Sequence, residues 1–284
     1  MTLYADRLLF GPAGVPSGIE QTSTLDGIQH AAKLGLDCFE IEFVKGYRMG
    51  TDTASRIKEK AQELKIPLSV HAPYYVNLSS PEEGKRLASQ DMILRSARLA
   101  EKCGAECVVF HPGYYGGRSP DDTFESIKKG LAEVVSILRN ERSTVVLRPE
   151  TMGKKSQFGT FEEILLLCRE VEGIQPCIDF AHIHSREGRM NSYRKFYSIL
   201  RKIEKKLGAQ ALKTMHIHIS GVEYNKNGEV RHLNLKDSDF RYDDWIQALR
   251  DFDICGRIIC ESPDQITDAL MLKKIYKLGV RSEE

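Results

Sequence analysis

The chain has 284 residues, 41% of them hydrophobic and 29% charged, a balance that excludes collagen, coiled coil and wholesale disorder. Its 41 basic and 40 acidic residues leave a net charge of +1, so a globally basic nucleic-acid footprint is absent. No apolar run reaches the roughly 18–20 residues of a membrane helix, and the opening MTLYADRLLFGPAG lacks the apolar core of a signal peptide, which predicts a cytoplasmic protein without a membrane partner. Strands are predicted at 8–14, 38–43, 67–73, 107–113, 144–151, 176–182, 213–220 and 256–262. Helical periodicity fills the intervals: Phe124, Ile127, Leu131, Val134, Val135 and Leu138 share one face, and Phe161, Ile164, Leu165 and Cys168 another. Ser80, Ser119 and Ser262, each followed by Pro and then an acid or amide at the third helical position, read as N-caps, as does Thr160 with Glu163.

Strict alternation of strand and helix implies a parallel sheet. Eight units in one chain of this length, with no linker between halves, predict an α/β fold. It is a closed (β/α)8 TIM barrel spanning 1–284 as a single domain, with its active site at the C-terminal mouth of the strands. No G-x-G-x-x-G follows the first strand, against a dinucleotide-binding sheet. The seven cysteines sit mostly in apolar segments, which favours reduced, buried thiols; Cys103 and Cys107 have no second pair to complete a zinc site.

Period-2 alternation then sorts each strand into an inward and an outward face. Strand by strand, the inward set includes Ser69 and His71, Val109 and His111, Arg148 and Glu150, Asp179, His216 and His218, and Glu261. The mouth thus receives His71, His111, Glu150, Asp179, His216 and Glu261, with His182 and His232 in the loops after the sixth and seventh strands. Three carboxylates and three histidines gathered in a low-dielectric site are strongly unfavourable unless cations neutralise them. Imidazole with carboxylate and no thiolate suits Zn²⁺, Mn²⁺ or Fe²⁺, and so many donors exceed the needs of one ion.

These segments resemble the endonuclease IV family, the zinc-dependent apurinic/apyrimidinic endonucleases within the xylose-isomerase-like barrels. The resemblance rests on H-A-P-Y at 71–74, F-H-P-G at 110–113, P-E-T at 149–151, D-F-A-H at 179–182, H-I-H at 216–218, R-H at 231–232 and E-S-P at 261–263. It implies three metal ions: His71 and His111 hold the first, Glu150 bridges to the second, and Asp179, His216 and Glu261 complete the second. His182 and His232 hold the third, with an aspartate two residues before the last histidine. Here that position is Val230, which leaves Glu229, Glu223 or His184 as substitutes, or the site weak or empty. Glu150 and Glu261 are the expected catalytic carboxylates. The activity implied is hydrolysis of the phosphodiester 5′ to an abasic site in double-stranded DNA, leaving a 3′-hydroxyl, with two to three Zn²⁺ ions as cofactor. No protein partner is implied, and a monomer is expected.

Loops 44–51, 112–118, 152–159 and 183–191 hold Lys45, Arg48, Arg118, Lys154, Lys155, Arg186 and Arg189 against one acid, Glu187. Such a local rim suits a polyanion, and Lys154 and Lys155 are its expected phosphate contacts. In the family, residues matching Tyr74 and Tyr75 enter the duplex together with an arginine, here Arg48; position 75 is commonly aliphatic there. Tyr114 and Tyr115 read as loop packing. Two other readings stand beside the nuclease. A mononuclear sugar isomerase or epimerase would use Glu150, Asp179, His216 and Glu261, leaving the other four histidines without a duty. A non-catalytic nucleic-acid or metabolite binder has only Val230 in its support.

Overall fold

The computed structural model describes residues 6–16, 23–43, 46–47 and 49–279. Eight parallel strands follow one another in chain order: β1 (Leu8–Pro12), β2 (Phe39–Glu42), β3 (Leu68–His71) and β4 (Cys107–Phe110), then β6 (Val146–Pro149), β8 (Cys177–Asp179), β9 (Met215–Ile219) and β12 (Gly256–Cys260). Four short extra strands line the mouth as two antiparallel pairs, β5 (Gly113–Tyr114) with β7 (Gln157–Phe158), and β10 (Gly221–Asn225) with β11 (Gly228–Leu233). The arc β2-β3-β4-β6 and the arc β1-β12-β9-β8 are each continuous. Parallel bridges join them at both seams, Ala13 with Glu40 and Glu150 with Cys177, so the barrel closes as expected.

All eight predicted strands form, each shorter than its sequence signal because the last residues of each run turn into mouth loops. The sixth ends abruptly: Asp179 closes β8, and the helix Phe180–Glu187 starts at once. Phe180 drives that turn, since its buried ring packs edge-on to Trp245 at 5.6 Å and to Phe196 at 6.0 Å. The ring of helices around the barrel buries its apolar stripes against the outward strand residues in one continuous core. Inside, Leu9, Cys38 and Ile259 make only a small apolar plug. Below them Arg148 donates to the carbonyls of Pro176 and Thr214, and Arg257 donates to the Leu68 carbonyl and pairs with Glu106.

Two of the four predicted caps hold. Ser119 accepts the Asp122 N–H, and Thr160 with Glu163 forms a complete capping box. Ser80 and Ser262 do not cap. Ser80 accepts the Glu82 N–H in a turn before its helix, which begins at Glu83, and Asp264 instead caps the last helix, Gln265–Leu278. All seven cysteines are free thiols, six of them buried. Among the described residues no helix is long and apolar enough to cross a membrane.

Candidate metal centre

Glu150 lies at the middle of the mouth, with no solvent exposure. Its Oε2 stands 3.4 Å from His71 Nε2 and 3.2 Å from His111 Nε2. Its Oε1 stands 3.3 Å from His182 Nδ1 and 3.2 Å from His218 Nδ1. One carboxylate therefore borders two donor groups, His71–His111–Glu150 and Glu150–Asp179–His218–Glu261, and His182–Glu229–His232 forms a third. Within each group the donor atoms lie within 4.8 Å of one another.

The main chain sets how these rings face. His71 Nδ1 donates to the Ala72 carbonyl at 2.7 Å, His182 Nδ1 to the Thr151 carbonyl at 2.9 Å, and His232 Nδ1 to the Glu261 carbonyl at 3.1 Å. A carbonyl only accepts, so each Nδ1 carries a proton and each Nε2 is turned toward the carboxylates. Histidines that bind metals are commonly oriented in this way, one ring nitrogen tied to the main chain and the other left for the ion. Asp179 is likewise held. Its backbone N–H donates to Thr151 Oγ1 and its Oδ1 accepts the His182 N–H, while the buried Oδ2 has no hydrogen bond. At the third group Gly153 is required by space: a Cβ there would sit 2.8 Å from the Glu229 Cβ and 2.9 Å from the His182 ring.

Burial opposes charge throughout the mouth, and pairing decides which groups carry it. Burial alone would raise Glu150, but the His218 charge and hydrogen bonds from His111, His182 and His218 hold its carboxyl well below the usual range. Burial would lower His71, yet Glu150 and Glu42 lift it to about 10. Asp179 is pushed up to about 6 by burial. The surrounding carboxylates raise His71, His182 and His218 while burial lowers His111, and protons held on such rings are what a divalent ion displaces on binding. The donor set fits such ions.

One donor expected from the sequence is corrected here, and the open choice at the third group is narrowed. His218, not His216, meets Glu150, Asp179 and Glu261. β8 and β9 pair with Asp179 opposite His218 and Cys177 opposite His216, so His216 sits two residues deeper, about 6–7 Å below the mouth at the rise of a strand. The third group's acid is Glu229. The β10–β11 ladder pairs Glu223 with Arg231 but Tyr224 with Glu229, leaving Val230 as the extra, 46% exposed residue of a β-bulge. The bulge reverses the alternation, so Glu229 shares a face with His232 where Val230 would otherwise lie. Its carboxylate stands 3.3 Å from His182 Nε2 and 3.7 Å from His232 Nε2. Glu223 pairs with Arg231, and His184 pairs with Asp239. His182 and His232 lie in the helix Phe180–Glu187 and in β11 rather than in loops.

Glu40 and Glu42 escaped the sequence reading although their signal was present. The run F-E-I-E-F alternates, and pairing Glu40 with Ser69 and Glu42 with His71 puts both on the inward face. Burial pushes Glu42 up to about 8.

The predicted rim is thinner than its charge count. Arg186 is a strut, donating to the carbonyls of Met152, Lys154 and Gln157, and Arg118 donates to those of Ser79 and Asp122. Lys154, Lys155 and Arg189 are exposed, and Lys154 lies close enough to help lower Glu229. Lys45 and Arg48 lie outside the described residues. Tyr74 and Tyr75 project from the mouth, 53% and 48% exposed. Tyr115 packs on Phe158 and donates to Glu163, as loop packing predicted.

Fold and site define an α/β barrel whose mouth gathers metal-donor side chains. The chain belongs to the xylose isomerase-like TIM barrel family, which it matches over residues 28–279. It is similar to an uncharacterized protein of Methanocaldococcus jannaschii, 46% identical over 270 residues that cover 95% of this chain and 97% of the other. A protein of Aquifex aeolicus named "Probable endonuclease 4" is 30% identical over 209 residues, 70% of this chain and 73% of its own. Among solved structures, a D-tagatose 3-epimerase-like protein superposes with a TM-score of 0.75 at 20% identity, covering 95% of this chain and 96% of that one. Endonuclease IV from Thermus thermophilus superposes at 0.71 with 18% identity, covering 96% and 98%. At such identities the two structures share the barrel fold.

Proposed function

We propose that this protein is a metal-dependent DNA repair endonuclease that hydrolyses the phosphodiester 5′ to an abasic site and leaves a 3′-hydroxyl. The observation that carries the proposal is the arrangement of three adjoining donor groups around Glu150, with His71, His111, His182 and His232 all turned inward. A mononuclear sugar enzyme has no use for these four rings. The endonuclease 4 relatives support the same reading.

His71, His111 and Glu150 would hold one ion; Glu150, Asp179, His218 and Glu261 a second; and His182, Glu229 and His232 a third. Zinc ions held there would supply Lewis-acid charge to the phosphate and make water acidic enough to attack near neutral pH. The chain's own part is to fix the donors through the Ala72, Thr151 and Glu261 carbonyls and to bring DNA to them. Lys154 and Lys155, exposed beside the third group, would take phosphates, and Tyr74 and Tyr75, with Arg48, would fill the gap at the lesion.

The test is a duplex carrying one synthetic abasic site, incubated with zinc-loaded protein. A nick with an extendable 3′-hydroxyl is expected, lost in Glu261→Gln while binding to abasic DNA persists, because that change removes a donor and leaves the exposed lysines. Full cleavage by Glu261→Gln would overturn the assignment. The second reading, a ketose epimerase, is favoured by the Glu150–Asp179–His218–Glu261 group, which by itself could hold the single ion of such an enzyme. Absence of any nick with metal bound, together with C3 epimerisation of a free ketohexose, would establish it instead.

A further inference from the structure

Beneath the mouth the barrel interior holds a second set of donors, of which only His218 is shared with the proposed nuclease site. Glu40, Cys177, His216 and His218 are all fully or almost fully buried. Glu40 Oε2 lies 3.0 Å from His216 Nε2, and Oε1 lies 3.0 Å from His218 Nε2. At that distance each contact could be a hydrogen bond, yet neither is aligned for one, and all four atoms are without a hydrogen-bond partner. Cys177, His216 and His218 bring donor atoms within 4.8 Å of one another. Three donors within that reach, with a carboxylate 3.0 Å from two of the rings, are a set that bonds of about 2.0–2.3 Å to a tetrahedral ion can draw together.

We propose that Glu40, Cys177, His216 and the inner nitrogen of His218 form an interior zinc site below the mouth. The His218 ring then stands between two sites, with Nδ1 facing Glu150 and Glu261 at 3.2 and 3.3 Å and Nε2 facing Glu40. With both nitrogens bound it is an imidazolate, its last proton released to solvent on loading. A thiolate among the donors selects zinc over magnesium or calcium and distinguishes this site from the mouth, whose donor groups contain no sulfur. Cys107, 3.4 Å from His216 Nδ1, lies on the far side of that ring and can orient it.

The experiment is zinc X-ray absorption on the purified full chain with zinc in excess, paired with native mass spectrometry to count ions. A sulfur shell at about 2.3 Å is expected among nitrogen and oxygen scatterers. Cys177→Ser should remove the shell and one zinc, whereas Cys107→Ser should keep both. A spectrum of nitrogen and oxygen alone, a sulfur shell that survives Cys177→Ser, or a chain that takes up no zinc would overturn the site. If Cys177→Ser fails to fold, a wild-type spectrum without sulfur still overturns the site, and a sulfur shell kept in Cys107→Ser still supports it. Failure of the nuclease reading appears separately: a protein that shows the sulfur shell but never nicks abasic DNA keeps this site and loses that activity.

Discussion

Positions 216 and 230 carry the largest departures from simple pattern reading, and both concern which side chain reaches the mouth. Val230 occupies the place where the endonuclease IV pattern expects an aspartate, but the bulge turns it to solvent and turns Glu229 inward. Glu229→Gln is therefore expected to lower zinc stoichiometry by one ion in native mass spectrometry. Val230→Asp, which supplies the aspartate of the endonuclease IV pattern, should not rescue it, since an acid at an exposed bulge position is not presented to His182 and His232. Recovery of the ion in the double variant would show that the hairpin pairs in another register. Gly153→Ala should have the same effect as Glu229→Gln, because its methyl would occupy the space of Glu229 and His182.

At the scale of elements, the loop between β6 and the helix Phe161–Glu170 is held from both ends. Lys155 N–H donates to the Asn227 carbonyl of the β10–β11 turn, and Arg186 from the helix Phe180–Glu187 donates to three of its carbonyls. Arg186→Lys should loosen that loop without changing net charge, because an ammonium cannot reproduce the planar fork. Faster amide hydrogen exchange across 152–158 is the measurement. Replacing Lys154 and Lys155 together with Ala should instead leave exchange unchanged and reduce the salt dependence of DNA binding by up to about two units of slope. An unchanged slope would mean that neither lysine touches phosphate. The Thr160–Glu163 capping box starts the helix after this loop, and Thr160→Ala should lower unfolding stability by about 1 kcal/mol, read from the denaturant midpoint.

For the whole molecule, the barrel interior carries charge from floor to mouth, with Arg148, Arg257, Glu40 and Glu150 all buried around the small apolar plug of Leu9, Cys38 and Ile259. Apolar adhesion therefore comes mainly from the outer layer of helices. The interior depends on matched charge, since each unpaired buried ion is strongly destabilising. Chelation should consequently lower the melting temperature. One site filled at a hundred times its dissociation constant contributes about 2.7 kcal/mol, and calorimetry with and without chelator reads the loss. An unchanged melting temperature after confirmed zinc removal would mean that the imidazolium protons alone balance the mouth.

The chain's alternating pattern was enough to determine the eight strands, their order, the closed barrel and most of the inward donors, because side-chain direction in a strand depends only on parity. Thr160 and Ser119 were likewise legible as caps, since a cap is a local hydrogen bond. What parity cannot supply is the offset between neighbouring strands. The register of β8 against β9 chose His218 over His216 for the mouth, and it left His216 beside Glu40 and Cys107 in the interior. One unpaired residue in the β10–β11 ladder exchanged Val230 for Glu229. Arg118 and Arg186 looked like a free rim in a charge count, but carbonyls brought near from other segments turned them into struts. Each of these outcomes rests on contacts between residues far apart in the chain, and only the closed barrel brings them within reach of one another.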